Sequence, residues 1–386
     1  MNKELRKFVV PEIIVGEDSR LLIGRYLSHF SSTKPLIVTD QNIRKFEWFN
    51  DIVNEIEKFT NAYSIFDGVS ENPKDYEVML GAEVFLSGDC DLIVAIGGGS
   101  PMDCAKGIAI VATNGGHILD YEGVDEIKLP GPPLVCIPST AGTSADVSQF
   151  AIICDSNELI KKAIISKKVV PDLALIDPVP LMTMDQNLVA CTGMDALTHA
   201  IEAYVSNAQS NLTDIHALEA IKLINENLEK AVKEQKDLET MNKLMLASLY
   251  AGIAFSNASL GAVHGMAHSL GGLLDLPHGE CNSILLEHVI NLNYDSVPKR
   301  YSDISEKMGI DIKNPETIKK NLLERIRNLR ENVGIRSFIE ISGSKEDLFT
   351  MLVENALEDP CMITNPKDLS AAEVRNIYEG ILQEKR

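Results

Sequence analysis

Two pairs of side chains in this chain have types and spacing that suit metal chemistry. Asp195 and His199 are four residues apart, as are His264 and His268, and such residues share one face of a helix. His278 follows a proline shortly after the second pair, where a helix is expected to have ended. Imidazole and carboxylate groups are suitable ligands for Fe²⁺, Zn²⁺, Mn²⁺ or Co²⁺. The spacing predicts a metal site, but it leaves open whether His264 or His268 is the ligand.

A glycine-rich segment at residues 97–100 follows a short apolar run that is typical of a strand. Pro101 fits the first turn of a following helix, where the missing N–H costs little. A strand, a glycine-rich turn and a helix N-terminus together can bind a phosphate through backbone N–H groups. The spacing matches neither standard nucleotide fingerprint, so a purely structural tight turn is an alternative interpretation.

Three further features each have a functional and a structural interpretation. Residues 139–143 are rich in hydroxyl groups, which suit phosphate or ribose oxygens but also the cap of a helix. Asp40 ends an apolar run, where a carboxylate can accept a hydrogen bond from a ribose 2′-hydroxyl or can cap the next turn. Glu202 lies one turn beyond His199 and either supports a metal ligand or is a solvated helix residue.

Composition excludes several classes of function. The 386-residue chain has a formal net charge of −20, which argues against nucleic acid and anionic membrane surfaces as partners. Its seven cysteines form no C-x-x-C pair, which favours a reducing cytoplasm. No secretory signal is recognisable, and no apolar run reaches the roughly 18 residues of a membrane-spanning helix.

Hydrophobic periodicity divides the chain into two parts. In the first part, short apolar runs alternate with helical segments, which predicts an α/β domain with a parallel sheet over residues 1–184. The predicted strands are residues 35–40, 91–96, 134–137 and 173–177. Long segments with helical periodicity then predict an all-helical domain over residues 185–386. Its clearest helices are residues 211–233, 238–256 and 371–382.

Taken in order, these segments resemble the iron-dependent alcohol dehydrogenases. The similarity is carried by residues 97–103, 139–143, 193–202 and 261–279, and it extends from about residue 11 to residue 366. It is closest to the branch that contains lactaldehyde reductase, 1,3-propanediol dehydrogenase and a bacillary methanol dehydrogenase. The resemblance implies a Rossmann-like α/β domain that binds the dinucleotide and an all-α domain that binds the metal and catalyses. This is the fold of dehydroquinate synthase, and the active site is expected in the cleft.

The resemblance also implies a role for each site residue. Asp195, His199, His264 and His278 would bind Fe²⁺, with Zn²⁺ as an alternative in the isolated protein, and His268 would serve proton transfer or contact the nicotinamide. The expected cofactor-binding residues are Asp40, Asn72, Gly97, Gly98, Gly99, Ser100, Asp103, Ser139, Thr140, Thr143, Lys161 and Phe255. Asp40 matches the acidic residue associated with a preference for NAD over NADP.

The expected reaction is metal-assisted hydride transfer that interconverts a small primary alcohol or diol and its aldehyde with NAD(H). One alternative is secondary alcohol oxidation, as in glycerol dehydrogenase, against which His278 argues. Another is a lyase like dehydroquinate synthase, but the apolar segments near the histidines lack the Arg and Lys that its anionic substrate requires. Glu280 and Cys281 depart from the family pattern and leave the substrate open. The resemblance further implies a homodimer or larger homo-oligomer in the cytoplasm.

Overall fold

The computed structural model describes residues 7–234, 236–341 and 345–384 and contains two compact units. The N-terminal unit comprises Phe8–Met184 together with Lys236–Met245. The helical unit comprises the described residues within 185–235 and 246–386. That each unit is a domain with its own function stays a prediction.

Strands and helices alternate through most of the N-terminal unit. In chain order they are β1 (Glu12–Val15), α1 (Ile23–His29), β2 (Pro35–Val38), α2 (Glu47–Glu57), β3 (Ser64–Phe66), α3 (Asp75–Ser87), β4 (Leu92–Gly97), α4 (Gly99–Asn114), β5 (Gly123–Val124), β6 (Leu134–Pro138), β7 (Phe150–Asp155), β8 (Ile160–Ile165) and β9 (Leu173–Ile176). The main sheet has the strand order β1-β9-β6-β4-β2-β3, and every pairing in it is parallel.

The central strand β4 contributes side chains to an apolar cluster on each face of this sheet. Ile93 and Ala95 join one cluster, which includes residues of α3 and α4. Leu92, Val94 and Ile96 join the other, which includes residues of α1 and α2. A strand that is covered on both faces must be apolar at every position, which explains its continuous hydrophobic run. The predicted α/β class with a parallel sheet is confirmed.

The four predicted strands correspond to β2, β4, β6 and β9, with small differences at their ends. Asp40 and Asp177 lie just beyond β2 and β9, because their carboxylates bind backbone N–H groups of the turns that follow. Asp40 Oδ1 accepts from the backbone of Asn42 and Ile43, and Asp177 Oδ1 accepts from Val179. The antiparallel pair β7–β8, which forms a second sheet with β5, was not among the predicted elements.

Helices dominate the second half of the chain. They are α5 (Gln186–Val205), α6 (Asn211–Lys233), α7 (Leu238–Ala258), α8 (Ala262–Leu274), α9 (His278–Asn293), α10 (Pro298–Lys307), α11 (Pro315–Asn332), α12 (Lys345–Glu358) and α13 (Ala371–Ile381). The predicted helices coincide with α6, α7 and α13. The short strands β10 (Ile339–Ile341) and β11 (Leu382–Glu384) form a parallel pair that the all-helical prediction did not include.

Helix α5 is buried along its length from Val189 to Val205, so its polar residues Asp195, His199 and Glu202 are removed from water together with its apolar ones. Gly193 permits this packing, because a Cβ atom there would lie 2.3 Å from Leu228 Cδ1 of α6. Gly279 permits it at another point, since its Cβ would lie 2.4 Å from the carbonyl oxygen of Cys191. Close backbone approach therefore fixes α9 against α5.

The start of α8 is held by side chains from other elements. The first N–H groups of a helix lack partners within it. Here Glu202 Oε1 accepts from Val263 N at 2.7 Å, and Asn365 Oδ1 accepts from Ala262 N at 3.2 Å. A Cβ on Gly261 would lie 2.9 Å from that Glu202 oxygen, so only glycine leaves room for this arrangement.

Helix α8 ends at Leu274, as the sequence predicted, and Asp275 adopts a left-handed conformation with φ of 49°. The next helix begins at His278 itself, immediately after Pro277. In the described part of the chain, no single helix has both the length and the apolar composition to cross a membrane. The pair α7 and α8, which is bent by 100°, meets that test only jointly and only by length and composition.

We predict that Gly279→Ala destabilises the protein and displaces His278, because the new methyl group would overlap the Cys191 carbonyl. A clash that the backbone must absorb costs about 1–3 kcal/mol. Gly380→Ala is the matched control: it lies in α13 with nothing within 4 Å of the added Cβ, so its stability should be unchanged or up to about 1 kcal/mol higher. Denaturant melts of both variants test this, and equal stability of the two would contradict it.

Candidate metal centre

Three imidazole nitrogens converge on one carboxylate oxygen in the helical unit. Asp195 Oδ1 lies 3.9 Å from His199 Nε2, 3.7 Å from His264 Nε2 and 3.8 Å from His278 Nε2. Helix α5 contributes Asp195 and His199, α8 contributes His264, and α9 contributes His278. The two histidine segments of the sequence thus meet at one point.

The chemistry of these four atoms fits a divalent transition metal. A metal with ligands at about 2.1 Å holds neighbouring ligand atoms roughly 3.0–3.4 Å apart, so the observed spacing requires contraction by only a few tenths of an ångström. Asp195 and His264 are almost completely buried, with 2% and 1% of their surface exposed. The His278 side chain is 25% exposed and leaves the cluster accessible from one side. A ligand set that leaves one side accessible is typical of a catalytic site, because a catalytic metal keeps a position open for substrate.

Electrostatics within the cluster favour cation binding. Burial acts to raise the pKa of Asp195, but the charges of His199, His264 and His278 keep that pKa well below its usual range. Burial acts to lower the pKa of His264, but hydrogen bonds with Asp195 and Glu202 raise it to about 9. The Asp195 carboxylate is therefore ionised and can bind a cation, which would take the place of the proton that His264 holds.

Glu202 fixes the orientation of His264. Its Oε2 lies 2.6 Å from His264 Nδ1, and its Oε1 holds the start of α8. An imidazole that donates from Nδ1 to a carboxylate presents Nε2 as a ligand, which is the usual arrangement around a metal-binding histidine. Glu202 is 4% exposed, so its interpretation as a solvated helix residue is wrong.

His268 lies beside this cluster and has a different partner. Its Nδ1 is 2.8 Å from Asp359 Oδ2, and its ring stacks on His278 with 5.3 Å between the centroids. Asp359 also accepts a hydrogen bond from the backbone of Cys361. Burial acts to raise the pKa of Asp359, but His268 and Cys361 lower it to about 2. The spacing alone left His264 and His268 as equal candidates for a metal ligand. In the structure, His264 Nε2 faces Asp195, whereas His268 is paired with Asp359.

Two further residues contact the candidate ligands. Phe255, which was expected near the cofactor, lies in the helical unit and stacks on His199 with the ring centroids 4.3 Å apart. Its contact with the cofactor stays a prediction. Asn282 was missed by the sequence reasoning, although its Nδ2 lies 2.6 Å from Asp195 Oδ1. The signal that could have revealed it is its position four residues after His278, on the same face of α9.

The glycine-rich turn and the hydroxyl-rich loop adjoin in the N-terminal unit. Gly97 ends β4 with φ of +146°, and α4 begins two residues later at Gly99. A Cβ on Gly98 would lie 3.3 Å from Thr140 Cγ2, and one on Gly99 would lie 2.9 Å from Thr143 Cγ2. The structure thus brings together the two segments that were expected to bind the cofactor. Ser100 is half-buried in the first turn of α4, and Ser139 N donates to the Gly97 carbonyl oxygen.

Asp103 has contacts that support the fold. Burial raises the pKa of Asp103 to about 6, although Lys106, Lys161 and the backbone N–H of Ile152 favour the ionised form. Lys106 is fully buried, and its Nζ donates to the carbonyl oxygens of Ser148 and Phe150. This buried lysine was not singled out in the sequence, and it ties α4 to the start of β7.

The remaining expected cofactor residues are Asn72 and Asp40, which lie outside the helices and strands, and Lys161 on β8. Asn72 is half-buried with a left-handed φ of 53°, and Lys161 is half-buried on β8. Asp40 is half-buried after β2, and both of its backbone hydrogen bonds use the same oxygen. The capping interpretation of Asp40 is therefore correct, and its second oxygen can still serve a ribose hydroxyl.

Comparison with known proteins identifies the family. A family model of the iron-containing alcohol dehydrogenases matches residues 11–178, and the C-terminal model of the same family matches residues 189–382. The chain belongs to the iron-containing alcohol dehydrogenase family. It is therefore an oxidoreductase that interconverts alcohols and aldehydes, and the expected family and fold are confirmed.

Relatives match this alcohol dehydrogenase over almost its full length. It is 42% identical to alcohol dehydrogenase 4 of Schizosaccharomyces pombe, over 92% of this chain and 83% of that protein. It is 36% identical to the NAD-dependent methanol dehydrogenase of Bacillus methanolicus, over 97% and 99% of the two chains. A crystal structure of 1,3-propanediol oxidoreductase superimposes with a TM-score of 0.93, at 36% identity and over 98% and 100% of the two chains. These similarities favour alcohol dehydrogenase chemistry over the lyase and glycerol dehydrogenase alternatives.

We predict that His264→Ala abolishes tight iron binding, because it removes a ligand atom and leaves Glu202 without its imidazole partner. The measurement is iron per chain after anaerobic reconstitution and desalting. His216→Ala on α6 is the control, because its ring lies beside that of Tyr250, 5.7 Å between the centroids, and is not a proposed ligand, so it should retain the iron of the wild type. Wild-type iron content in His264→Ala would contradict the assignment of this residue.

Proposed function

We propose that this protein oxidises a small primary alcohol or diol to its aldehyde, and reduces the aldehyde in the reverse direction. In this proposal Fe²⁺ binds at the candidate metal centre, and NAD(H) is the hydride carrier. The observation that carries the proposal is the convergence of three histidine Nε2 atoms on the buried Asp195 oxygen. Family membership supports iron as the metal.

Asp195, His199, His264 and His278 are the proposed ligands. A divalent ion held by them supplies Lewis-acid chemistry, which lowers the pKa of a substrate hydroxyl and polarises a carbonyl. Glu202 and the stacked Phe255 ring hold two of the imidazoles in orientation. The partly exposed edge at His278 gives a small substrate access to the cluster.

His268 is the proposed proton-transfer residue. The hydrogen bond between its Nδ1 and Asp359 leaves Nε2 to exchange a proton with the substrate or with water. A buried carboxylate behind an imidazole stabilises the protonated ring and sets the tautomer. Asp359 is then a positioning residue, and its ionised state is supported by its lowered pKa.

The glycine-rich turn is the proposed pyrophosphate site. Gly98 is the N-cap residue of α4, so the N–H groups of the first turn around Gly99 and Ser100 are directed out of the helix end. Thr140 and Thr143 lie against these glycines and are proposed to face the nicotinamide half. Asp103, Ser139, Lys161, Asn72 and Phe255 complete the proposed set. The second Asp40 oxygen can accept from a ribose hydroxyl and would repel a 2′-phosphate, which favours NAD.

We predict that the anaerobically purified protein, loaded with Fe²⁺, reduces NAD when mixed with short primary alcohols or diols. The measurement is nicotinamide absorbance across a substrate panel that includes glycerol and secondary alcohols. Protein treated with a chelator is the control and should lose activity that added Fe²⁺ restores. NADP should support a lower kcat/KM than NAD, and this difference should shrink in Asp40→Gly. Activity that is unaffected by metal removal would contradict the proposal.

We predict that Asp359→Asn lowers kcat/KM by about tenfold or more, because His268 loses the carboxylate that fixes its tautomer and orientation. The substitution retains an oxygen that can accept from Cys361 N, so the local turn is preserved. Asp295→Asn is the control, because Asp295 forms an exposed ion pair with Lys319 and its side chain is 83% exposed. A kcat/KM in Asp359→Asn equal to that of the wild type would exclude the positioning role.

Assembly and location remain proposals. We infer a homodimer or larger homo-oligomer from the family, and light scattering of the purified protein gives its mass directly. A cytoplasmic location is supported by the seven cysteines, all of which are buried and free of disulfides.

A further inference from the structure

We propose that Asn282 positions Asp195 and thereby sets the metal affinity of the cluster. The proposal rests on the proposed ligand set of Asp195, His264 and His278. Asn282 lies on α9 and is completely buried. Its Nδ2 is 2.6 Å from Asp195 Oδ1, 3.1 Å from His264 Nε2 and 3.1 Å from His278 Nε2. One amide group therefore contacts three of the four proposed ligand atoms.

The orientation of this amide follows from the carboxylate. The reverse orientation would bring the Asn282 carbonyl oxygen close to Asp195 Oδ1, and two acceptor oxygens at that distance repel each other. With nitrogen towards Asp195, the amide donates a hydrogen bond to a charged acceptor, which is among the stronger hydrogen bonds in proteins. Orientation is thus decided by the hydrogen bond to Asp195.

This orientation has a cost that packing alone does not explain. Asn282 Oδ1 is buried, and no donor among the described residues lies within hydrogen-bond distance of it. An unsatisfied buried carbonyl destabilises the folded state. An apolar residue with the same branching, such as leucine, would avoid this cost. The compensating contacts of Asn282 all involve proposed metal ligands, which indicates a role in the metal site.

The contact of the Asn282 amide with Asp195 differs from its two contacts with imidazoles, because only the first can persist when a metal is bound. The amide has two hydrogens, and three proposed ligand atoms lie within 3.1 Å of its nitrogen. When a metal uses the Nε2 lone pairs, Asp195 is the acceptor that stays available to the amide. A donor to a metal-binding carboxylate fixes the rotation of that carboxylate, and loss of such a partner typically weakens metal binding about 10- to 100-fold.

The test compares Asn282→Leu with Ser283→Ala. Leucine keeps the branched shape of asparagine, although it is larger, and cannot donate a hydrogen bond. Ser283 is the next buried polar residue of α9, and its Oγ has no hydrogen-bond partner among the described residues. Apoprotein of each is titrated with Co²⁺ in competition with a chelator, and the visible absorption of bound Co²⁺ is recorded. Circular dichroism verifies folding, and Asn282→Ala serves if Asn282→Leu does not fold.

We expect Asn282→Leu to bind Co²⁺ about 10- to 100-fold more weakly, with an altered visible spectrum, while Ser283→Ala matches the wild type in both. Binding within about twofold of wild type, with an unchanged spectrum, would overturn the positioning role. Equal weakening in both variants would also overturn it, because it would reflect packing of α9. A wild-type protein that binds no Co²⁺ would instead overturn the proposed ligand set and hence the proposed function.

Discussion

The buried carboxylate of Asp195 is the constraint on which the helical unit depends. A carboxylate with 2% of its surface exposed is costly unless cationic or hydrogen-bonding groups surround it. Three histidines and Asn282 meet that need from three helices, so satisfying one charge brings α5, α8 and α9 together. The same arrangement creates a metal-binding cluster, because the groups that stabilise the anion also have lone pairs that a metal can use.

Two of the imidazoles near this carboxylate, His264 and His268, are each held by a carboxylate of their own. Glu202 binds both His264 and the start of α8, so one side chain orients a proposed ligand and caps its helix. Asp359 does the corresponding work for His268 while capping the turn at Cys361. Such double use makes the site rigid, since moving a ligand also exposes backbone N–H groups. Glycine is required at position 261, where a Cβ would meet the Glu202 carboxylate. It is also required at position 279, where a Cβ would meet the Cys191 carbonyl and separate α9 from α5.

In the N-terminal unit, the glycine-rich turn is positioned by apolar packing of the sheet. Its sheet is buried on both faces, so the ends of its strands are held by two apolar clusters. The turn after β4 then needs only glycines to bring the start of α4 against Thr140 and Thr143. Buried Lys106 ties that helix to the carbonyl oxygens of Ser148 and Phe150, which keeps the turn in place.

The sequence by itself determined the features that depend on local pattern: the parallel strands, the long helices, the glycine turn, and the four-residue pairs on α5 and α8. It also determined the family, through the order of its motifs. Only the tertiary structure distinguished His264 as a proposed ligand from His268. It also showed that Glu202 is buried beside His264, that Phe255 stacks on His199, and that Asn282 contacts Asp195. The physical reason is that spacing specifies which residues share a helix face, whereas contacts between helices depend on how distant segments pack. A carboxylate becomes a positioning group only when packing removes it from water and places a donor beside it.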